Sequence, residues 1–224
     1  MQDRSWMPAD TAMWHTCRIA YELESGLAST SAPIATMFPL VEGETAIAAG
    51  PLIIDEYKSA GDGSYQSSTF LAGGTGVFGL ALLAATATAS AAGNANRRAQ
   101  AAQNAALAWR HQTSGQITVT NHGFYIQDLQ GLWRWDWGSI DLLQAAGPST
   151  VVMQGQSTRG PLTWRLFSDW AELVFVLWAH ARHRQHPQYL TGEWVQPGWV
   201  QWAAAQGYPL SFGPPRPGGE VAAE

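Results

Sequence analysis

Three groups of residues in this 224-residue chain have types and spacings that suit chemistry. The first is His180, His183 and His186, near the end of an apolar periodic stretch. Neutral imidazoles on one helix face can hold zinc or nickel. No carboxylate accompanies them, and Arg182 and Arg184 stand between and beside them, so the set reads as a solvated helix terminus. A metal-dependent enzyme built on it is the lesser alternative. The second is Gly74-Thr75-Gly76-Val77-Phe78-Gly79, which satisfies G-x-G-x-x-G. A dinucleotide site needs a strand before that turn and an acid about 20 residues on. Ser67 to Leu71 makes a poor buried strand, and residues 94–104 hold no acid, so these glycines read as helix packing. The third is the acid pairs Asp55-Glu56 and Glu42/Glu44, which would suit glycoside hydrolysis only at a fixed separation. G-x-S-x-G, H-E-x-x-H and P-loop patterns are missing. The expectation is a binding protein and no enzyme, with no catalytic residue, no metal and no cofactor.

Composition sets the classes of partner. The chain is 46% hydrophobic and only 13% charged, with 12 tryptophans and a net charge of −5. That charge is uneven. Residues 1–93 carry three basic groups against nine acids, whereas residues 94–187 carry eight arginines against five acids. A mildly basic module with an acidic arm suits an anionic membrane surface or an acidic protein partner. Tryptophans at alternating positions can stack on sugars or single strands, but so few cations make nucleic acid an unexpected partner. Trp133, Trp135 and Trp137 are expected to pack beneath a helix. Cys17 is the only cysteine, which excludes an intrachain disulfide and fits a reducing compartment. The first residues lack the basic and apolar regions of a secretory signal. The expected place is the cytoplasm, with association at the inner face of the cell membrane.

The elements that would position these residues fall into four regions. Residues 1–68 form an acidic region, with a short amphipathic helix over Ala12–Leu27 on Ala12, Cys17, Ala20 and Tyr21. Extended segments follow at 44–49 and 51–57, then a turn at 59–64. Residues 69–110 read as an apolar Gly/Ala-rich helix. Thr69 to Gly93 is 25 residues without a charge, more than the roughly 20 a helix needs to cross a bilayer. Gly73, Gly74, Gly76 and Gly79, with Leu82 and Leu83, suit either a membrane anchor or self-association into a homo-oligomer through close helix packing. Residues 111–187 change period. Gly115–Thr120 alternates apolar and polar, Asn121-His122-Gly123 turns, and short strands follow at Phe124–Gln127, Leu132–Trp137, Ser139–Leu143, Thr150–Gln154 and Leu162–Leu166. Asp169 and Glu172 have the spacing of a capping box. Trp170, Leu173, Val174, Leu177, Trp178 and Ala181 then draw one apolar stripe. Residues 188–224 hold a short helix with Trp199 and Trp202, then a Pro/Gly tail.

The hairpin with its Thr-Asn turn, the strand Trp135-Asp136-Trp137-Gly138-Ser139-Ile140, two more strands and the helix Asp169–His183 together resemble the bacterial pleckstrin-homology-like and GRAM-like domains, over residues 112–186. The resemblance implies an α+β fold: a small antiparallel β sandwich or partly open barrel capped by a C-terminal amphipathic helix, here preceded by the long Gly/Ala helix. Residues 40–57 would supply the first strand, with the apolar segment inserted after it. The implied function is a scaffold for lipid headgroups or proteins. The basic side chains of the module, His122, Arg134, Arg159, Arg165, Arg182 and Arg184, are the candidate binding residues. The loop Thr120–Gly123 carries only His122, which departs from a phosphoinositide reader and favours a protein or a membrane surface as partner.

Overall fold

The computed structural model describes residues 4–27, 31–59, 105–158 and 160–210. It divides into two compact units, residues 1–56 with 111–224 and residues 57–110. In the second unit, the Tyr57 and Trp109 rings lie 5.3 Å apart, and Arg110 Nε donates to the Lys58 carbonyl at 3.2 Å. The apolar stretch with Gly73, Gly74, Gly76, Gly79, Leu82 and Leu83 lies outside the described residues, as do Arg159 and residues 211–224. At the end of the expected 69–110 helix, Ala108–Arg110 already belong to a strand. Trp109 favours an extended backbone, where its large ring packs across to Tyr57.

The first unit is α+β. Its strands are β1 (Ala46–Lys58), β2 (Ala108–Thr120), β3 (Gly123–Asp128), β4 (Gly131–Asp136), β5 (Ile140–Gly147), β6 (Thr150–Ser157) and β7 (Gly160–Phe167). The outermost residues of β1 and β2 belong to the second unit. The strands form one seven-stranded antiparallel sheet in the order β4-β3-β2-β1-β7-β6-β5, open between its edges β4 and β5. The two extended segments expected at 44–49 and 51–57 are one strand that runs through Gly50-Pro51. A Cβ at Gly50 would lie 2.9 Å from the Trp170 ring, so the strand passes under that indole only with glycine there.

The sheet bends sharply. The Trp135 ring on β4 reaches the Trp164 ring on β7 at 5.0 Å. Gly155 on β6 lies beneath Trp135, and a Cβ there would come within 2.6 Å of the Ser139 carbonyl. The concave side buries Ile54, Ile117, Val119, Phe124, Leu143, Val151, Met153 and Leu166. Trp135 and Trp137 join this core, but Trp133 is 44% exposed. Trp137 leaves the strand in a 3-10 turn (Trp137–Ser139), and its indole donates to the Asn121 carbonyl at 3.0 Å.

Among its described residues four helices complete the unit: α1 (Pro8–Glu24), α2 (Ala171–Arg182), α3 (Pro187–Thr191) and α4 (Trp199–Ala205). Pro8 sits in the first turn of α1, where its missing N–H costs nothing, and the Asp10 carboxylate accepts the Met7 N–H at 2.9 Å. α2 packs on β5, β6 and β3 on one side and on α1 on the other. Ala171 to Ala179 are therefore all buried, not just one stripe, while Ala181 is exposed. The expected capping box at Asp169 and Glu172 does not form. Trp170 is the N-cap, its amide goes to the Ser168 hydroxyl at 3.3 Å, and Glu172 turns away to accept the Ser149 N–H at 2.7 Å. No helix among the described residues is long and apolar enough to cross a membrane.

Candidate functional site

The strand directions put the β3–β4 and β6–β7 turns at the end of the sheet toward which β1 runs. The β3–β4 turn is a rigid knob. Asp128 Oδ1 accepts the N–H groups of Gln130 at 2.8 Å and Gly131 at 3.0 Å, together with the Trp133 indole N–H at 3.2 Å. Its other oxygen accepts the Thr113 hydroxyl at 2.9 Å. Burial works against the ionised Asp128 carboxyl, but these four donors outweigh it and hold its pKa below the ordinary value. The charge is thus answered inside the turn, and what the turn presents outward is Leu129, fully exposed, with Leu132 and Trp133 exposed beside it.

The opposite end is closed by its own hydrogen bonds. Glu44 is buried, and accepts the hydroxyls of Thr120 at 2.6 Å and Tyr125 at 2.8 Å, and the Val41 N–H at 3.2 Å. The Arg134 guanidinium lies 3.8 Å away. Burial would raise the Glu44 carboxyl, yet this set of donors holds it below its usual range; burial and the same carboxylate push the Tyr125 phenol up. Asn121 fixes the same loop, accepting the Thr45 N–H at 2.8 Å and donating to the Gly43 carbonyl at 3.1 Å. The Thr120–Gly123 turn is therefore occupied in holding residues 41–45.

The basic candidates are spread over the unit. His122 is exposed on the β2–β3 turn. Arg134 is paired with Asp136 at 2.6 Å and leans over the Tyr125 ring. Arg165 on β7 pairs with Asp55 on β1 at 2.7 Å and lies over Phe167. Arg182 is exposed at the end of α2, and Arg184 donates to the His180 carbonyl at 3.0 Å and to His180 Nε2 at 2.9 Å. Among the described candidates, Arg182 and Arg184 share the end of α2, while His122, Arg134 and Arg165 sit at separate places on the sheet.

The three histidines diverge. An arginine can only donate, so His180 Nε2 accepts from Arg184 and the ring proton sits on Nδ1, which faces Glu24 Oε1 at 3.2 Å and the Tyr189 hydroxyl at 3.1 Å. Tyr189 also donates to Glu24, and burial with that carboxylate pushes its phenol far up. His183 and His186 turn instead to the Trp178 ring, at 4.6 and 5.9 Å. No group of three or more His, Cys, Asp or Glu side chains arranged for a metal occurs among the described residues.

A second feature escaped the sequence reading. A cleft of about 160 Å³ is lined by Arg4, Asp10, Met13, Ser149, Glu172 and Trp199, with Ala9, Pro148 and Gln196 at its sides. Asp10 is saturated: Arg4 embraces both its oxygens, and the Met7 N–H and the Trp199 indole N–H at 2.8 Å complete it. Burial acts against its charge, but the arginine and these donors hold its pKa below the ordinary value. Glu172 is only 2% exposed and has no basic partner among the described residues, so burial, with the charge of Asp169 adding, lifts its carboxyl to about 7 despite the Ser149 amide. The signals were present as Asp10 after Pro8 and Glu172 after Asp169, but both resemble ordinary first-turn acids. Leu129 was equally inconspicuous, a single leucine in a turn.

The chain matches no model of a known protein family and no curated protein sequence.

Proposed function

We propose that this protein is a non-enzymatic adaptor of pleckstrin-homology-like type that docks a membrane surface, with the β3–β4 knob leading and the uncharged 69–93 stretch as its anchor, at the inner face of the cell membrane. The observation that supports the scaffold is its order. The strand before the insertion, β1, joins the sheet between β2 and β7, and the helix after β7 packs across the concave face. That is the arrangement the resemblance implies. A membrane is favoured over a protein partner by what the knob offers. Leu129, Leu132 and Trp133 are an apolar tip with an indole at its flank, the combination that sits at a lipid–water boundary. The 25 uncharged residues that follow β1 in sequence add apolar reach of the same kind. The basic side chains contribute little, since Arg134 and Arg165 are already paired.

Flotation of the full chain with vesicles of phosphatidylcholine, alone and mixed with phosphatidylserine, tests this. The chain is expected to float with both, and Leu129→Asp with Trp133→Ser to lower the floated fraction several-fold. A chain that stays at the bottom of both gradients overturns the reading. If it then runs as a defined oligomer without lipid, the second reading stands: a structural assembly component that associates through 69–93.

A further inference from the structure

We propose that the cleft between α1, the β5–β6 turn and the start of α2 binds a small primary-ammonium ligand, with Glu172 as its counter-ion and the Trp199 ring as its wall. The cleft stands apart from the docking knob, at the other end of the sheet, and the proposal does not depend on the membrane reading.

The floor of the cleft is made of buried Asp10, Met13, Glu172 and Trp199, and its rim of Arg4, Pro148 and Gln196. The two carboxyls differ in what they lack. Asp10 has four donors on its two oxygens and a guanidinium to balance its charge. Glu172 accepts the Ser149 N–H on Oε1 and its own backbone N–H, and among the described residues no basic side chain pairs with it. A carboxyl so deeply buried must either keep a proton or be given a cation. An ammonium group supplies the balancing charge that Glu172 lacks, on a group that donates hydrogen bonds. The apolar sides, Met13, Ala9 and Pro148, suit a short alkyl stem, and an indole face attracts a cation. An anion would have to displace Asp10 from Arg4 and would meet Glu172 unshielded. The volume, about 160 Å³, suits a ligand of about six non-hydrogen atoms or fewer.

The backbone supports the assignment. Ser149 is the one described non-glycine residue with a positive φ, 51°, and this unusual conformation is what aims its N–H at Glu172. The other titratable groups facing Glu172 are Asp169 before its own helix, Cys17 and Asp10 on α1, and Arg4 at the rim. The thiol of Cys17, raised to about 12 by burial and by Glu172, stays protonated. Glu172 is thus the group that exchanges a proton for the ligand, and its value of about 7 places that exchange near neutrality.

The test is calorimetric titration of the full chain with propylammonium chloride, against sodium chloride at equal ionic strength and against neutral propanol. Saturable binding is expected for propylammonium alone. At pH 6 it should release close to one proton per ligand, and affinity should rise several-fold from pH 6 to pH 8. Glu172→Gln should weaken binding at least tenfold and remove both the proton release and the pH dependence. The proton count and the comparison with propanol use the unaltered chain, so they decide the matter even if the variant does not fold. Absence of saturable binding, equal binding of propanol, or binding without proton release at pH 6 overturns the proposal.

Discussion

Two buried carboxyls, Glu44 and Glu172, have environments that push them in opposite directions, and stability should record both. Glu44 meets two hydroxyls, an amide and an arginine, and its pKa lies below the ordinary 4.5. Its contribution is complete above pH 4.5 and is lost as pH falls through the lowered value. Glu172 meets one amide from its surroundings and no cation, and burial lifts it to about 7. The folded state then holds a proton that the unfolded chain releases near pH 4.5, so stability declines from about pH 4.5 to about 7 and levels above. A shift of this size corresponds to about 3 kcal/mol over that window. Urea denaturation of the chain and of Glu172→Gln at pH 5 and pH 8 should show a gap that moves in favour of the variant by roughly that amount as pH rises. In Glu44→Gln the gap to the parent should instead close below pH 4.5. A Glu172→Gln gap that is the same at both pH values would mean that this carboxyl is ionised throughout.

At the scale of elements, tight crossings depend on glycines that no side chain can replace. A Cβ at Gly123 would lie 1.9 Å from the Trp135 carbonyl, whereas one at Gly138 would meet nothing within 4 Å. Gly123→Ala must pry β3 from β4 and should cost at least about 1–3 kcal/mol in urea denaturation, with Gly138→Ala close to neutral. Equal effects of the two would show that β4 yields freely. The hairpins themselves were legible from period and turn chemistry: the alternation from Gly115, the Asn121–Gly123 turn and the Ser157–Gly160 turn all fall where expected. The apolar stripe of α2 was legible too, but its full burial was not. A stripe states which face wants cover, and nothing in 171–182 announces that α1, about 150 residues earlier, covers the other side. Gly50 reads as a break, and becomes a requirement of a continuous strand only once Trp170 lies across it. Local pattern therefore reached the elements and missed the long-range contacts that build the cleft: Glu172 to Ser149 and Asp10 to Trp199.

At the scale of the whole molecule, those long-range contacts join the two ends of the sequence in one unit. The Trp6 ring stacks on Tyr208 at 4.0 Å and on Trp202 at 5.5 Å, and Arg4 lies over Trp202 at 4.3 Å. β1 is held by β7 through Ile53 to Glu56, with Asp55 and Arg165 paired across the ladder. Glu44 and Asn121 tie the approach to β1 onto the β2–β3 hairpin. The described residues before 57 are thus docked onto the part that begins at residue 111, through a core, a strand ladder and two hydrogen-bonded networks. These contacts are expected to hold the two parts together without the peptide connection through 57–110. A protease site inserted between Gly61 and Asp62 should make this visible. After cleavage the two fragments should elute from a sizing column as one species of unchanged volume, with the far-ultraviolet circular dichroism of the intact chain, and should separate only in denaturant. The interface resembles a domain core divided in two, which is the type that persists without covalent linkage. Fragments that part on cleavage under native conditions would show instead that the covalent connection through 57–110 is needed to keep β1 in the sheet.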